Sequence, residues 1–204
     1  MGRIHIDLFT TLDGVAQAPG GPEEDPEGGF RFGGWQAPLI DEVSGDQVRA
    51  GLADLDALLL GRKTYDIFAA YWPHQQGEIA DPFNRVPKYV ASRSRPELSW
   101  AGSTLLGPDL AAAVREVRDR HANVHVIGSI DLVQTLFAEQ LFDELTLWVH
   151  PVVLGSGKRV FPEGAAPANV TLIGPPEASP NGIVRLRYAP AEGPPRTGDM
   201  AAQA

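Results

Sequence analysis

Three places along the chain bring anion-seeking groups to the end of an apolar run. The first is Leu58–Tyr65, L-L-L-G-R-K-T-Y. Here an apolar strand ends at Gly61, and Arg62, Lys63 and Thr64 open a helix. The free N–H groups of a helix start attract anions, and glycine lets a ligand approach the backbone. Arg62 can grip a phosphate with two parallel hydrogen bonds. The second place is Val124–Leu132, V-H-V-I-G-S-I-D-L, again strand, glycine and helix start. Gly128 and Ser129 can present N–H groups and a hydroxyl to a pyrophosphate. The third is Val90–Arg95, V-A-S-R-S-R, which delivers two serines and two arginines to the end of a strand. That set suits a phosphomonoester such as the 2′-phosphate that separates NADP from NAD. Each place also fits a bland reading, a tight turn with solvated cations or with Asp131 as a cap. Their recurrence at strand ends is what a phosphate-rich dinucleotide requires, since ligands of open α/β sheets bind at the carboxyl ends of strands.

Other chemistries find little support. The histidines, His5, His74, His121, His125 and His150, have no metal-binding spacing, and there is no cysteine, so no metal site is expected. No Ser-His-Asp constellation argues for a hydrolase. G-x-G-x-x-G and the Walker lysine pattern are both absent. The helix face Arg115, Glu116, Arg118, Asp119 and Arg120 reads as solvated.

The elements that must position these groups alternate. Arg3–Phe9 has the apolar alternation of a strand. Residues 16–34 are rich in Gly, Pro and Glu and read as a flexible loop whose acids stay in solvent. Residues 38–55 carry apolar residues at helical spacing. A buried strand at 57–60 precedes a helix over 64–72 that Pro73 closes. Strands are expected at 88–92 and 103–106, and Asp109 should cap a helix over 110–120. A strand at 124–127 leads to a helix ending near Glu139. Strand segments follow at 145–149, 152–154, 170–173 and 183–188. Such alternation predicts an α/β protein with a largely parallel sheet and an antiparallel edge formed by the late strands. Residues 1–189 read as one domain, and 190–204 as a disordered tail.

The chain has 204 residues and a net charge of −9. Residues 1–60 hold three basic and eleven acidic residues, a net −8, while residues 61–204 are close to neutral. A basic stripe for nucleic acid is absent. No apolar run approaches the roughly 18–20 residues that span a bilayer. A cytoplasmic protein acting on a small molecule is expected, with no membrane or nucleic-acid partner.

Several segments also resemble a known family. Thr10–Val15 (T-T-L-D-G-V) is similar to its S-L-D-G-x segment, and Leu60–Tyr65 to its G-R-x-T motif. Pro87–Arg93 is similar to its P-K-x-V-x-S-R strand. Leu141–Leu145 and Pro151–Phe161 are similar to its L-x-D-E-L and P-V-x-L-G-x-G-x-x-L-F signatures. In this order, over residues 3–188, they resemble the dihydrofolate-reductase-like superfamily, in the branch shared with the reductase domain of bacterial riboflavin biosynthesis.

The resemblance implies a three-layer α/β/α fold, a homodimer, and NADPH as hydride donor. It places Gly61, Arg62, Lys63 and Thr64 on the cofactor's phosphates, and Ser92 and Arg93 at the 2′-phosphate. Gly128, Ser129, Ile130 and Asp131 would wrap the pyrophosphate, although many members have Gly-Gly where this chain has Gly128-Ser129. Thr11, Asp13, Gly14 and Val15 would line the nicotinamide and substrate cleft, and Trp35 would cover the substrate or simply pack. The candidate catalytic carboxylates are Asp13 and one from the first helix, where Asp41, Glu42 and Asp46 are available and ungapped counting from Gly61 favours Asp46. Each of these three also fits a solvated helix face. The implied activity is hydride transfer to a pterin-like or ribosylaminopyrimidine-like acceptor. The alternative is an NADP(H)-binding protein with a regulatory role and little catalysis. The chain length and the absence of cysteine lead us to expect no fused zinc deaminase of the kind that accompanies the riboflavin reductase.

Overall fold

A computed structural model describes residues 1–195 and 197–199. Its nine strands are β1 (Arg3–Thr11), β2 (Ala57–Gly61), β3 (Lys88–Ala91), β4 (Ser103–Leu105), β5 (Asn123–Ile127), β6 (Glu144–His150), β7 (Asn169–Leu172), β8 (Glu177–Ala178) and β9 (Val184–Ala191). They form one sheet in the order β4-β3-β2-β5-β1-β6-β9-β7, with β8 also pairing β9. The first six are mutually parallel. β9 is antiparallel to β6, β7 and β8. The antiparallel edge expected from the helix-free late strands is therefore present.

Helices α1 (Glu42–Gly51), α2 (Arg62–Tyr71), α3 (Ala80–Arg85), α4 (Leu110–Arg120) and α5 (Ile130–Ala138) cover the sheet. Strand alternation decides which side chains each layer meets. Ile4, Ile6 and Leu8 of β1, with Val124 and Val126 of β5, pack against Val114 and Val117 of α4 and Leu132, Val133, Leu136 and Phe137 of α5. Leu58 and Leu60 of β2 and Val90 of β3 face the other way, onto Tyr65 and Phe68 of α2 and Phe83 of α3. Ala57, Leu58, Leu59 and Leu60 are all fully buried, as expected of a parallel strand covered on both faces.

Several boundaries differ from the sequence expectation for identifiable reasons. The helix expected over 38–55 is only Glu42–Gly51. Asp41 starts it with a reciprocal capping box: its carboxylate accepts from the Ser44 N–H at 2.8 Å, and its own N–H donates to Ser44 Oγ at 3.0 Å. Pro38 falls in a separate 3₁₀ turn, Ala37–Leu39. α2 begins at Arg62, two residues earlier than expected, because Gly61 is its N-cap. Residues 152–154 are not a strand; the chain turns at Pro151, where the Val152 N–H folds back onto the His150 carbonyl. The last strand runs through Ala191 and so extends into the region expected to be a tail. Residues 196 and 200–204 of that expected tail lie outside the described residues.

The Gly- and Pro-rich loop packs a small core of its own. Val15, Ala18, Phe30 and Trp35 are buried against Phe9, Phe32, Val152 and Leu154. Gln17 ties it internally: its amide donates to the carbonyls of Asp25 and Glu27 at 3.0 Å, and its oxygen accepts from the Lys158 N–H at 3.0 Å. The expectation that the loop's acids stay solvated fails at Asp25, which is buried.

A cleft at the carboxyl ends of the parallel strands

A cleft of about 1490 Å³ opens where β1, β2, β3, β5 and β6 end. Its rim brings together the three anion-seeking segments, which are far apart in sequence. Gly61, Arg62, Lys63 and Thr64 line it, as do Ser92 and Arg93, and Gly128, Ser129, Ile130 and Asp131.

The two helices that start at this rim differ from the rest of the long helices. α1 and α4 are closed by side-chain caps, Asp41 and Asp109. α2, with N-cap Gly61, and α5, with N-cap Ser129, have no side-chain cap. Their first N–H groups remain available to an external acceptor.

The two turns also touch. A Cβ placed on Gly61 would meet Ser129 Cβ and Oγ at 2.5 Å. Ser129 Oγ donates to Thr64 Oγ1 at 2.6 Å, which leaves the Thr64 hydroxyl proton free to donate. Gly128 has φ +82, and Ser129 has φ +71, a left-handed conformation that a serine adopts at some cost.

The cations are less free than the sequence suggests. Arg62 Nε is held by both oxygens of Asp66 at 2.7 Å. Lys63 pairs with Asp25 at 2.8 Å and also with Glu27. Lys158, which the sequence reading did not single out, pairs with the same two acids at 2.7 and 2.6 Å. Burial works against charge on Lys63, but the two carboxylates outweigh it and hold its pKa above the ordinary lysine value. Likewise burial would raise the Asp25 carboxyl, and the two lysines pull it below the usual range. Arg93 is exposed. Among the described residues it has no hydrogen-bonding or ionic partner.

The S-L-D-G-like segment plays a different part from the one expected. Thr11 and Val15 are buried, and neither they nor Asp13 and Gly14 line the cleft. Thr11 Oγ1 donates to Asp13 at 2.6 Å and accepts from the Val15 N–H at 3.0 Å. Asp13 also accepts from the N–H groups of Leu154 and Gly155 at 3.2 and 2.9 Å, with Arg159 beside it. The Thr11 hydrogen bond and these backbone donors lower its pKa to about 2. A carboxylate so stabilised is a poor proton donor at neutral pH, and its geometry serves to tie the turn after β1 to the 151–159 loop. The cleft wall is formed instead by Leu8, Phe9, Ala16, Gln17 and Ala18 beside that turn.

Asp46 is not in the cleft either. It is 63% exposed on α1 and pairs with Arg49. Asp41 is used as the helix cap, and Glu42 does not line the cleft. Trp35 is buried, donates its indole N–H to the Gln17 carbonyl at 2.8 Å and stands edge-on to His150 at 5.1 Å. It packs the loop and does not line the cleft.

Asp7 and His150, which the sequence does not single out as site residues, also line it. His150 is buried, with Nδ1 2.9 Å from the Trp148 carbonyl, and burial lowers its pKa. Strand alternation sets both on the face opposite the apolar positions of their strands, but it does not show that this face is sheltered.

A mostly parallel sheet between two helical layers, with an antiparallel edge and a strand-end cleft rimmed by uncapped helix starts, defines a dihydrofolate-reductase-like α/β protein. The RibD C-terminal domain family model matches residues 3–183, and the chain belongs to that family. Among curated proteins it is similar to the uncharacterized protein YyaP of Bacillus subtilis, 26% identical over 195 residues, covering 91% of this chain and 94% of the relative. Among solved structures it is similar to a putative riboflavin biosynthesis protein from Shewanella, with TM-score 0.67 and 18% identity over 93% of this chain and 99% of the other. It is also similar to dihydrofolate reductase from Enterococcus faecalis complexed with NADP(H), with TM-score 0.59 and 15% identity over 94% and 98%. Among the described residues no helix is long and apolar enough to cross a membrane, and no group of three or more metal-ligating side chains is assembled.

Proposed function

We propose that the chain is an NADPH-dependent reductase of a small heterocyclic acceptor, pterin-like or ribosylaminopyrimidine-like. The observation that carries this reading is the meeting of two uncapped helix starts and the Ser92-Arg93 strand end at one rim. Backbone N–H groups of α2 and α5 would hold the pyrophosphate, with the Thr64 hydroxyl adding a donor. Ser92 and the exposed Arg93 guanidinium would take the 2′-phosphate. The paired cations Arg62 and Lys63 would contribute long-range field more than direct contacts. NADPH bound there supplies a hydride, and the fold's task is to orient the acceptor against it. The remaining wall, with Ile40, Val48, Leu52, Phe68 and Trp148, is apolar and would hold a flat heterocycle by packing.

Titration of the protein with NADPH, followed by fluorescence or thermal shift, tests this reading; no binding below millimolar NADPH overturns it. Arg93→Ala should weaken NADPH at least tenfold and NADH less than twofold, and equal weakening refutes its placement at the 2′-phosphate. A second reading, cofactor binding with little catalysis, is favoured by the position of Asp13 and Asp46 away from the cleft. Steady NADPH oxidation with dihydrofolate, a dihydropterin or a ribosylaminopyrimidine rejects it. We also propose the homodimer that the resemblance implies, supported by the exposed apolar side chains Val153 and Phe161 in the loop after β6. A monomer by light scattering removes it.

A further inference from the structure

The reductase reading leaves a gap: hydride transfer to a C=N bond also needs a proton, and neither Asp13 nor Asp46 can give one into the cleft. The polar face of the central strands offers another group. β1 and β5 pair in parallel, with His5 opposite His125 and Asp7 opposite Ile127. The apolar positions Ile4, Ile6 and Leu8 face α4 and α5, so His5 and Asp7 share the opposite face with His125. There Asp7 Oδ2 lies 2.9 Å from His125 Nδ1. On the other side of the ring, His125 Nε2 lies 3.4 Å from Asp54 Oδ1.

Exposure along this row is graded. Asp7 lines the cleft with its side chain 15% exposed, His125 is 2% exposed, and Asp54, in the turn after α1, is 58% exposed. We propose that Asp7 is the proton donor to the acceptor, that His125 stores the proton it donates, and that Asp54 holds the imidazole in its charged form. This proposal rests on the reductase reading above.

The surroundings support it. Burial disfavours charge on His125, but the hydrogen bond and charge of Asp7, with the charge of Asp54, overcome this and raise its pKa. The other groups facing the pair are His5, stacked on His125 at 4.8 Å, Glu144 of β6, and Arg187 of β9, whose charge Asp7 also favours. Burial and the neighbouring His125 charge lower the His5 pKa, so it stays neutral. Glu144 is committed to Arg187 at 2.6 Å and to Arg3. The proton this face can exchange is therefore the one on His125, held against Asp7. A buried ion pair is a poor source of stability compared with apolar packing, and the β1 positions on the α4/α5 side are apolar. The charge on this face has a cost that a catalytic role explains.

The step balances. The acceptor's C=N bond becomes CH–NH: the carbon gains a hydride and the nitrogen a proton, so the acceptor is reduced by two electrons and NADPH is oxidised to NADP⁺. At rest Asp7 is a carboxylate and His125 an imidazolium, with one proton between them. That proton passes from Nδ1 through Asp7 to the acceptor nitrogen, which leaves a carboxylate and a neutral imidazole. After product leaves, water entering the open cleft returns a proton through Asp7 to Nδ1.

The test has two arms. In the first, the His125 ring is titrated by NMR in cofactor-free protein. The wild type should titrate above 6.5, and both Asp7→Asn and Asp54→Asn should move the midpoint down; a midpoint indifferent to Asp7 overturns the proposal. In the second, NADPH oxidation is followed against pH with dihydrofolate, a dihydropterin and a ribosylaminopyrimidine as acceptors. Wild-type kcat should fall as pH rises through the His125 midpoint read in the first arm. Asp7→Asn should lower kcat at least about 100-fold, with the Kd for NADPH within twofold as the check on folding. Asp54→Asn should shift the alkaline limb of the kcat profile to lower pH, which a merely structural carboxylate would not do. If the wild type turns over and Asp7→Asn matches it, the reductase reading stands and this proposal falls. If the wild type fails to oxidise NADPH with dihydrofolate, a dihydropterin and a ribosylaminopyrimidine alike, the reductase reading falls and this proposal falls with it.

Discussion

Gly61→Ala probes the contact between the two turns proposed to hold the pyrophosphate. Gly61 has φ −73 and ψ 158, a conformation alanine adopts freely, so any penalty is steric. The new methyl would lie 2.5 Å from Ser129 Cβ and from its Oγ, about 1 Å inside normal contact. Both turns are pinned, one by β2 and the other by the Gly128 backbone and the Ser129–Thr64 hydrogen bond, so relief requires separating them. Overpacking of this kind costs about 1–3 kcal/mol. Ser129→Gly alone should be nearly neutral. It relieves about 1–2 kcal/mol of left-handed strain, and it loses about 1 kcal/mol of hydrogen bond and up to about 1 kcal/mol through a looser unfolded chain. In the double variant both close contacts disappear, and the nearest remaining atom, Leu132 Cβ at 3.6 Å, is at ordinary distance. The double-mutant cycle should then give a coupling of about 1–3 kcal/mol in favour of the pair. In urea denaturation, a 2 kcal/mol loss at a slope of about 2 kcal/mol/M lowers the midpoint by about 1 M. Gly61→Ala within 0.5 kcal/mol of wild type (about one RT), or a double variant no more stable than Gly61→Ala, refutes the reasoning. The single variant should also weaken NADPH, because separating the turns moves α5 away from α2.

Three further outcomes follow from the charged groups. The Asp13 pKa is lowered from 3.8 to about 2, so its contribution is complete above 3.8 and lost as pH falls toward 2; Asp13→Asn should lower Tm at pH 7 and flatten that acid limb. Lys88 is fully buried, its Nζ donating to the carbonyls of Asn84 and Ala101, and burial lowers its pKa to about 8. Between about 8 and 10.5 the unfolded chain holds the proton that the folded one has released, so stability should rise with pH across that window in wild type and not in Lys88→Met. Asp46→Asn should leave turnover and NADPH affinity within twofold, and a tenfold loss of either would contradict its position outside the cleft.

The scaffold was legible because its signals are local. The A-L-L-L run of β2, the Asp109 cap and the glycine that ends β5 each mark an element without help from distant residues, and the strand-end rule then places the anion-seeking groups at one edge. α3 was not legible, since six residues are too few to show a helical period. The acid-rich loop was misread for a different reason. Its Gly and Pro content speaks of turns, but Asp25 is drawn inward by lysines 38 and 133 positions away, and that approach exists only in the folded chain. Asp7 was overlooked because β1 alternates apolar and polar residues, the pattern of a strand with one wet face. β1 lies between β5 and β6, so its polar face is sheltered, and a side chain that composition assigns to solvent becomes a cleft residue.

The same argument reassigns the charge. The acidity of residues 1–60 is not a diffuse field repelling anions. Asp25 and Glu27 neutralise Lys63 and Lys158, Asp13 meets Arg159, and Asp7 meets His125. Each pairing joins an acid of the first third to a basic group of the remainder, and of the cations that the sequence offers to phosphate they engage Lys63, while Arg62 is held by Asp66 within its own helix. What is left at the rim is mostly neutral: helix N–H groups and the hydroxyls of Thr64 and Ser92, with the guanidinium of Arg93 as the exposed charge. Phosphate recognition built this way depends on geometry more than on net charge, because N–H groups bind only an anion that reaches them at hydrogen-bond distance. That is why the contact between Gly61 and Ser129 matters more to the site than any single lysine does. It sets the separation of the two helix starts, and on the proposed reading a dinucleotide would have to fit both at once.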